Sequence, residues 1–339
     1  MKSIEHSLSL KDGRILAYHT FGDDQNGNEH PVLYFNGVPG CGLEAGIACA
    51  PAVTKAGGRV YAIDRPGMGK TSSPYIADAK NNADENLETL IQNIWELIED
   101  QGWKDFSVIG VSGGGPYALA LLASYIQRRD NDEKLARLTN MCLVGALCFS
   151  AGNNGMKDEL AQLSVIVAKA QSSEWYRFLL WSMTISTGPI YNYLLPVMPL
   201  SWTKYLISIG NQKSPLADRK WVSKDENLLP FLDVTRSMMA QGGYPGSYDD
   251  VMIALRPDQP HEELLQKAYG TNDRKNLPSI GIFQGLSDAN VPPSHAQYLH
   301  ETIFRQQSTI FQYENLGHES TVMGMADEFA AFATTIRKI

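Results

Sequence analysis

The segment Phe106–Ala120, FSVIGVSGGGPYALA, restricts what this chain can fold into more than any other stretch. An apolar, β-branched run enters Gly110-Val111-Ser112-Gly113-Gly114 and leaves as a run of helix formers. Glycine packs nothing and costs backbone entropy, so three of them beside a strand require a path that side chains would obstruct. The spacing is G-x-S-x-G, a strand–turn–helix pattern that lifts a serine hydroxyl beyond the edge of a sheet. Side chains at Gly110 and Gly114 would meet the neighbouring strand and helix. The helix is expected over Gly114–Gln127, with Pro116 in its first turn, where a missing N–H has no partner to lose. Ser112 and Gly113 then stand at a helix N-terminus, whose free N–H groups favour developing negative charge. A phosphate loop is the other use of such a turn, but it needs G-x-x-x-x-G-K-[ST] or G-x-G-x-x-G. GVSGGG has neither the lysine nor the spacing.

Around this segment, short β-branched runs alternate with helical patterns. Ile4–Leu10 and Ile15–Thr20, joined by a KDG turn, predict an antiparallel hairpin. Val32–Phe35, Arg59–Ile63, Phe106–Val111 and Met141–Leu147 predict buried strands, and Ser279–Gln284 and Thr309–Tyr313 two more. Leu87, Leu90, Ile91, Ile94, Leu97 and Ile98 form one helical stripe, and Thr321–Ile336 predicts a closing helix. The expected class is therefore α/β: a mostly parallel sheet flanked by helices on both faces. The rhythm breaks between Phe149 and Asn272, which is rich in aromatics, Met and Pro and shows no strand signal. An all-helical insertion fits, giving a core of residues 1–148 and 273–339 and an inserted unit of 149–272.

Composition removes several function classes. With 29 Lys and Arg against 37 Asp and Glu, the formal net charge is −8, which argues against nucleic acid or an anionic membrane as main partner. Cys41, Cys49, Cys142 and Cys148 form no C-x-x-C pair and no metal-ligand spacing with His, so no metal is expected, and reduced thiols in a reducing compartment are. The N-terminal segment lacks an apolar core of signal-peptide length, and a cytoplasmic location is expected. Phe178–Leu200 is uncharged and long enough to span a bilayer, but its three prolines, glycine and hydroxyls favour short helices lining an apolar cavity over a membrane span.

A serine hydroxyl needs a base and an orienting acid, here expected in the order Ser, Asp or Glu, His. Asp288 follows the strand ending at Gln284, and His318 follows the strand ending at Tyr313. Loops at the carboxyl ends of parallel strands face one crevice, so Ser112, Asp288 and His318 can converge. The other histidines fall in early strands (His6, His19, His30), in helical stretches (His295, His300) or in the insertion (His261). Glu314 and Glu319 lie too close to His318 to hold its ring from behind. A solvated loop carboxylate is the alternative role for Asp288. Asn36-Gly37-Val38-Pro39-Gly40, after the strand ending at Phe35, is a tight turn able to aim the Val38 N–H at the crevice. With the Gly113 N–H it would form an oxyanion hole. A plain Pro-Gly turn is the alternative there.

Together these residues resemble the α/β-hydrolase superfamily, in its serine branch with a helical cap. The resemblance covers Val32–Ala123 and Ser279–His318. It extends to DRPGMGKTSS from Asp64, similar to the family's D-x-x-G-x-G-x-S segment that shapes a loop, and more loosely to GGYPGSYDD at the end of the insertion. The family's usual H-G before the oxyanion donor is Asn36-Gly37 here. Ser112 in place of Asp counts against the epoxide hydrolase and haloalkane dehalogenase branches, and GVSGG lacks the G-G-S-W-G of proline iminopeptidases. The resemblance implies an α/β-hydrolase fold with an inserted cap (lid) and a cofactor-independent serine hydrolase. Its expected substrate is an ester, lactone or thioester of a small apolar molecule. Aminopeptidase-like or lyase chemistry on the same residues, or a hydrolase-like small-molecule receptor, are the alternatives. Trp175, Tyr176, Phe178, Trp181, Tyr191, Tyr193 and Trp202 would either line the pocket or form the insertion's own core. The oligomeric state is open between monomer and homodimer.

Overall fold

Strand β5 (Asp105–Val111) lies near the middle of an eight-stranded sheet in a computed structural model of the chain. The structure describes residues 1–22, 29–38, 40–72, 83–129, 134–148, 214–240, 247–254, 261–271 and 277–335, with isolated residues between 169 and 205. The other strands are β1 (Ile4–Ser9), β2 (Ile15–Phe21), β3 (His30–Phe35), β4 (Gly58–Ile63), β6 (Arg137–Val144), β7 (Ser279–Gly285) and β8 (Thr309–Tyr313). Their order across the sheet is β1-β2-β4-β3-β5-β6-β7-β8. The hairpin pairs Ile4 with Thr20 and Ser9 with Ile15, and β2 also runs antiparallel to β4. Every remaining pair is parallel. The carboxyl ends of β3 to β8 therefore share one edge, the edge where ligand crevices form in such sheets.

Alternation within the strands supplies a core on each face. Leu33, Phe35, Phe106 and Val108 point to one side, where α3 (Ala83–Asp100) and α4 (Gly115–Arg128) cover them with Leu90, Ile94, Trp95, Tyr117 and Leu121. Val32, Tyr34, Ile109 and Val111 point to the other, against α1 (Ala45–Ala48), α2 (Ala50–Lys55) and Phe329 and Ala330 of α11 (Ala326–Thr334). Each large apolar side chain so buried contributes roughly 1.5–3 kcal/mol relative to exposure. All four cysteines are buried and none is in a disulfide.

Most element boundaries lie within two residues of expectation; the larger differences are in β6, which begins at Arg137 and not at Met141, and in the closing helix. β6 stops at Val144 and not at Leu147, because Gly145 turns the chain at φ +49°. The closing helix is two helices, α10 (His318–Gly324) and α11 (Ala326–Thr334), separated at Met325 just after a glycine that helices disfavour. Its expected last residue, Ile336, lies outside the described residues.

Between β6 and β7, the described residues are helical wherever a regular element is assigned: α5 (Leu216–Ser223), α6 (Asp225–Ala240), α7 (Ser247–Ala254) and α8 (Glu262–Tyr269). Ile253, Leu265 and Tyr269 join the core cluster under α3 and α4. Tyr176, Trp181, Tyr191 and Tyr193 lie outside the described residues, while Trp175, Phe178 and Trp202 are exposed. Most of Phe178–Leu200 is likewise outside them. No described helix is long and apolar enough to cross a membrane. A short α9 (Pro293–Tyr298) follows β7 and places His295 and Ala296 in the interior.

Candidate active site

Ser112 sits directly after β5 at φ +50°, a left-handed backbone that costs an L-residue about 1–2 kcal/mol. The surroundings dictate that path. A Cβ on Gly110 would lie 2.8 Å from the Ala118 Cβ, and one on Gly114 would lie 2.8 Å from the Asn36 carbonyl oxygen. Only residues without side chains let β5, β3 and α4 approach this closely. Residues 112–114 make one tight helical turn before α4 begins at Gly115, with Pro116 in its first turn as expected. Ser112 itself is half-buried.

His318 opens α10, just after β8, and Asp288 lies three residues past β7. The two predicted partners meet: His318 Nδ1 is 2.7 Å from Asp288 Oδ2, with both side chains buried. Asp288 is itself held in place. Its Oδ1 accepts the backbone N–H groups of Asn290 and Val291, each at 2.8 Å, and Gln284 Nε2 approaches Oδ2 at 3.4 Å. A carboxylate that accepts from Nδ1 selects the tautomer in which Nε2 is the free, basic nitrogen. Burial opposes a charge on the ring, but Asp288, through charge and hydrogen bond, and then Glu319 and Asp218 outweigh it and raise the His318 pKa to about 9.

The turn after β6 joins these parts. Leu147 N–H donates to the Ser112 carbonyl at 3.0 Å, and Gly145 N–H donates to the Phe283 carbonyl at 2.9 Å. A Cβ on Gly145 would lie 3.2 Å from His318 Nδ1 and 3.4 Å from Asp288 Oδ2. One four-residue turn thus touches the serine backbone on one side and the His–Asp pair on the other.

The loop after β3 closes on the serine from the opposite side. A Cβ on Gly37 would lie 3.5 Å from the Ser112 Cβ, and one on Gly113 would lie 3.1 Å from the Val38 nitrogen. The two expected N–H donors, Val38 and Gly113, are therefore neighbours, whereas Pro39 is outside the described residues. Asn36, where the resemblance leads one to expect His, donates from Nδ2 to the Gly37 carbonyl at 3.0 Å. Its Oδ1 is buried without a hydrogen-bond partner among the described residues.

What holds this loop is a residue that the sequence reading quoted without a role. Arg65, fully buried, donates to the carbonyls of Asn36 at 2.6 Å and Gly37 at 2.7 Å. Its other contacts are a two-pronged ion pair with Asp250 at 2.8 Å and the face of the Tyr117 ring at 4.9 Å, while the Tyr117 hydroxyl donates to Asp250 at 2.9 Å. The planar guanidinium suits this fork of acceptors. Asp64, first residue of the loop-shaping segment, accepts the Gly42 N–H at 2.8 Å and pairs with buried His19 at 3.1 Å.

Three more acids border the site. Glu44 has its pKa pushed up to about 8 by burial, against the pull of Arg65 and with the help of Glu319 and Asp250. Burial raises Glu319 as well, with His318 opposing. Asp218, on α5, accepts from the first turn of α10. Arg65 and Asp250 were at least inside segments that carried the resemblance; Glu44 and Asp218 had no local signal. Among the described residues, no group of three or more His, Cys, Asp and Glu side chains is placed to hold a metal ion.

Solved structures share this architecture at low identity. A bromoperoxidase from Bacillus anthracis is similar with a TM-score of 0.61 and 19% identity over 97% of each chain. The esterase EaEST from Exiguobacterium antarcticum gives 0.57 and 17% over 96% of each. The esterase RhEst1 from Rhodococcus sp. ECU1013 gives 0.56 and 14%, covering 98% of this chain and all of that one (100%). No curated protein sequence matches the chain. The family model described as "Alpha/beta hydrolase family" matches residues 45–332, and the chain accordingly belongs to the alpha/beta hydrolase family.

Proposed function

We propose that the protein is a serine hydrolase that cleaves an ester, lactone or thioester of a small apolar substrate through an acyl-enzyme. Ser112 is the nucleophile, His318 the base, Asp288 its orienting acid, and the Val38 and Gly113 N–H groups the oxyanion hole. Family membership and two neighbours named as esterases support the reaction class. The observation that carries the reading is the buried 2.7 Å His318–Asp288 bond, placed on the same sheet edge as a serine held in a left-handed backbone. The four buried cysteines, none of them in a disulfide, suit a reducing, cytoplasmic setting.

In this mechanism Ser112 Oγ attacks the carbonyl carbon while His318 Nε2 takes its proton. Asp288 holds the Nδ1–H and stabilises the imidazolium. Negative charge gathers on the carbonyl oxygen, where each backbone donor contributes ~3 kcal/mol of transition-state stabilisation. Collapse expels the alcohol or thiol, which receives the proton from His318. Water, deprotonated by the same ring, then attacks the acyl-enzyme and frees the acid and Ser112. The insertion after β6 acts as a cap that restricts acyl size.

Turnover of short-chain p-nitrophenyl esters by purified Ser112→Ala should fall by ~10³-fold or more. Parental turnover in the folded variant would remove Ser112 from the mechanism.

A further inference from the structure

The helix that begins with His318 lacks a capping side chain of its own. Gly317 is the residue before it, in extended conformation, and has no oxygen to offer the exposed N–H groups of the first turn. That oxygen comes from a residue 100 positions earlier in the chain. Asp218 Oδ2 accepts the His318 N–H at 2.8 Å, and Oδ1 accepts the Ser320 N–H at 2.8 Å and the Ser320 hydroxyl at 2.7 Å. Ser320 Oγ in turn accepts the Gly317 N–H at 2.9 Å. The fit depends on the glycine, because a Cβ there would stand 2.6 Å from the Asp218 carboxyl carbon.

The helix that bears the aspartate sharpens the point. In α5, Asp218 is the one buried residue, and Leu216, Arg219 and Lys220 are exposed. An amphipathic helix usually docks by an apolar stripe, whereas this one enters the interior by a carboxylate that spends its hydrogen bonds on the backbone of His318 and Ser320.

We propose that Asp218 is a positioning residue for His318: a carboxylate on the β6–β7 insertion caps the helix that carries the base and fixes where its ring stands. This rests on His318 being the base of the proposed reaction. Because capping comes from the insertion, seating of α5 and alignment of the base are one event, and a substrate or loop that lifts α5 also misaligns His318. The charge belongs there on general grounds too, since a carboxylate at a helix N-terminus is favoured by the dipole. Among the described residues, the other charged groups acting on His318 are Asp288 from the β7 loop and Glu319 on its own helix; Glu44 beside α1 interacts in turn with Glu319, Arg65 and Asp250.

The test uses the full chain with Asp218→Asn, which keeps the shape but loses the charge and one acceptor, and Arg219→Ala as a control on the same helix. Two readouts are taken: the pH-independent plateau of kcat with KM on a p-nitrophenyl ester, and the titration of the His318 ring by ¹⁵N NMR. Asp218→Asn should lower plateau kcat about tenfold with KM within about twofold, and move the His318 midpoint to lower pH. Arg219→Ala should change neither. An Asp218→Asn protein with parental plateau kcat, or with an unmoved His318 midpoint, overturns the proposal. Failure of the underlying reading has a separate signature: Ser112→Ala would then turn over ester like the parent, while the NMR titration still decides whether Asp218 sets the state of His318. Should Asp218→Asn fail to fold, Ser320→Ala removes one of the three bonds to Asp218 and the Gly317 N–H bond with it, and must lower plateau kcat with KM within about twofold, or the proposal fails.

Discussion

Ser112 combines a strained backbone with a nucleophilic hydroxyl, and the substitutions that separate the two are simple. Ser112→Gly and Ser112→Ala both delete the hydroxyl, but only glycine is at ease at φ +50°. Ser112→Gly should be more stable than Ser112→Ala by about 1 kcal/mol in urea unfolding, with both inactive. Equal stabilities would mean that the turn is not strained. At His318 the raised pKa sets the direction of the pH profile. The ring must be neutral to accept the serine proton, so kcat/KM should rise with pH through a midpoint above the ordinary histidine value, toward about 9. Asp288→Asn removes the main raising influence, so the midpoint should shift down while the plateau falls about 10⁴-fold. A midpoint that stays put in Asp288→Asn would contradict the pairing seen at 2.7 Å.

At the scale of elements, the site is a set of loops pinned from behind. The Arg65–Asp250 pair, separated by 185 residues of sequence, ties the segment after β4 to α7 and, through the Arg65 bonds to Asn36 and Gly37, to the loop after β3, and neither charge reaches solvent. Removing one partner leaves the other buried and unpaired, so Asp250→Leu alone should cost roughly 3–5 kcal/mol. The double variant Arg65→Met/Asp250→Leu should recover most of that stability and yet stay catalytically poor, because nothing then holds the Asn36 and Gly37 carbonyls. Chemical unfolding together with ester turnover tests both halves; a double variant with parental kcat would show that the pair serves stability alone. Such pairs also mark what the sequence conceals. The strands were legible because short, near-continuous apolar and β-branched runs are local signals, and Ser112, Asp288 and His318 because each follows a strand end within a few residues. Arg65 sat unremarked inside DRPG, and Asp218 lay in the insertion without any local signal, since their roles exist only once distant segments meet. The split between α10 and α11 was missed because an isolated glycine such as Gly324 inside a helical pattern costs only about 1 kcal/mol and need not end the helix.

For the whole molecule, the protonation states of the site feed back on folding. His318 is raised to about 9 from 6.5 and Glu44 to about 8 from 4.5, with Glu319 raised as well, so the folded protein holds protons that the unfolded chain releases. Their stabilising contribution is therefore complete at acid pH, below the unfolded values, and is lost as pH rises through the folded ones. The urea midpoint should decline between about pH 5 and 9, and Glu44→Gln, which cannot ionise, should flatten that decline. Parallel curves for parent and variant would remove Glu44 from the balance. Catalysis as proposed depends on the reactivity of one hydroxyl activated by one ring. Peptide mapping by mass spectrometry after brief exposure to a fluorophosphonate measures this directly. One adduct on Ser112 in the parent, and none over the same interval in His318→Gln, is the predicted result. A parent that stays unlabelled, or carries its adduct on another residue, would contradict it.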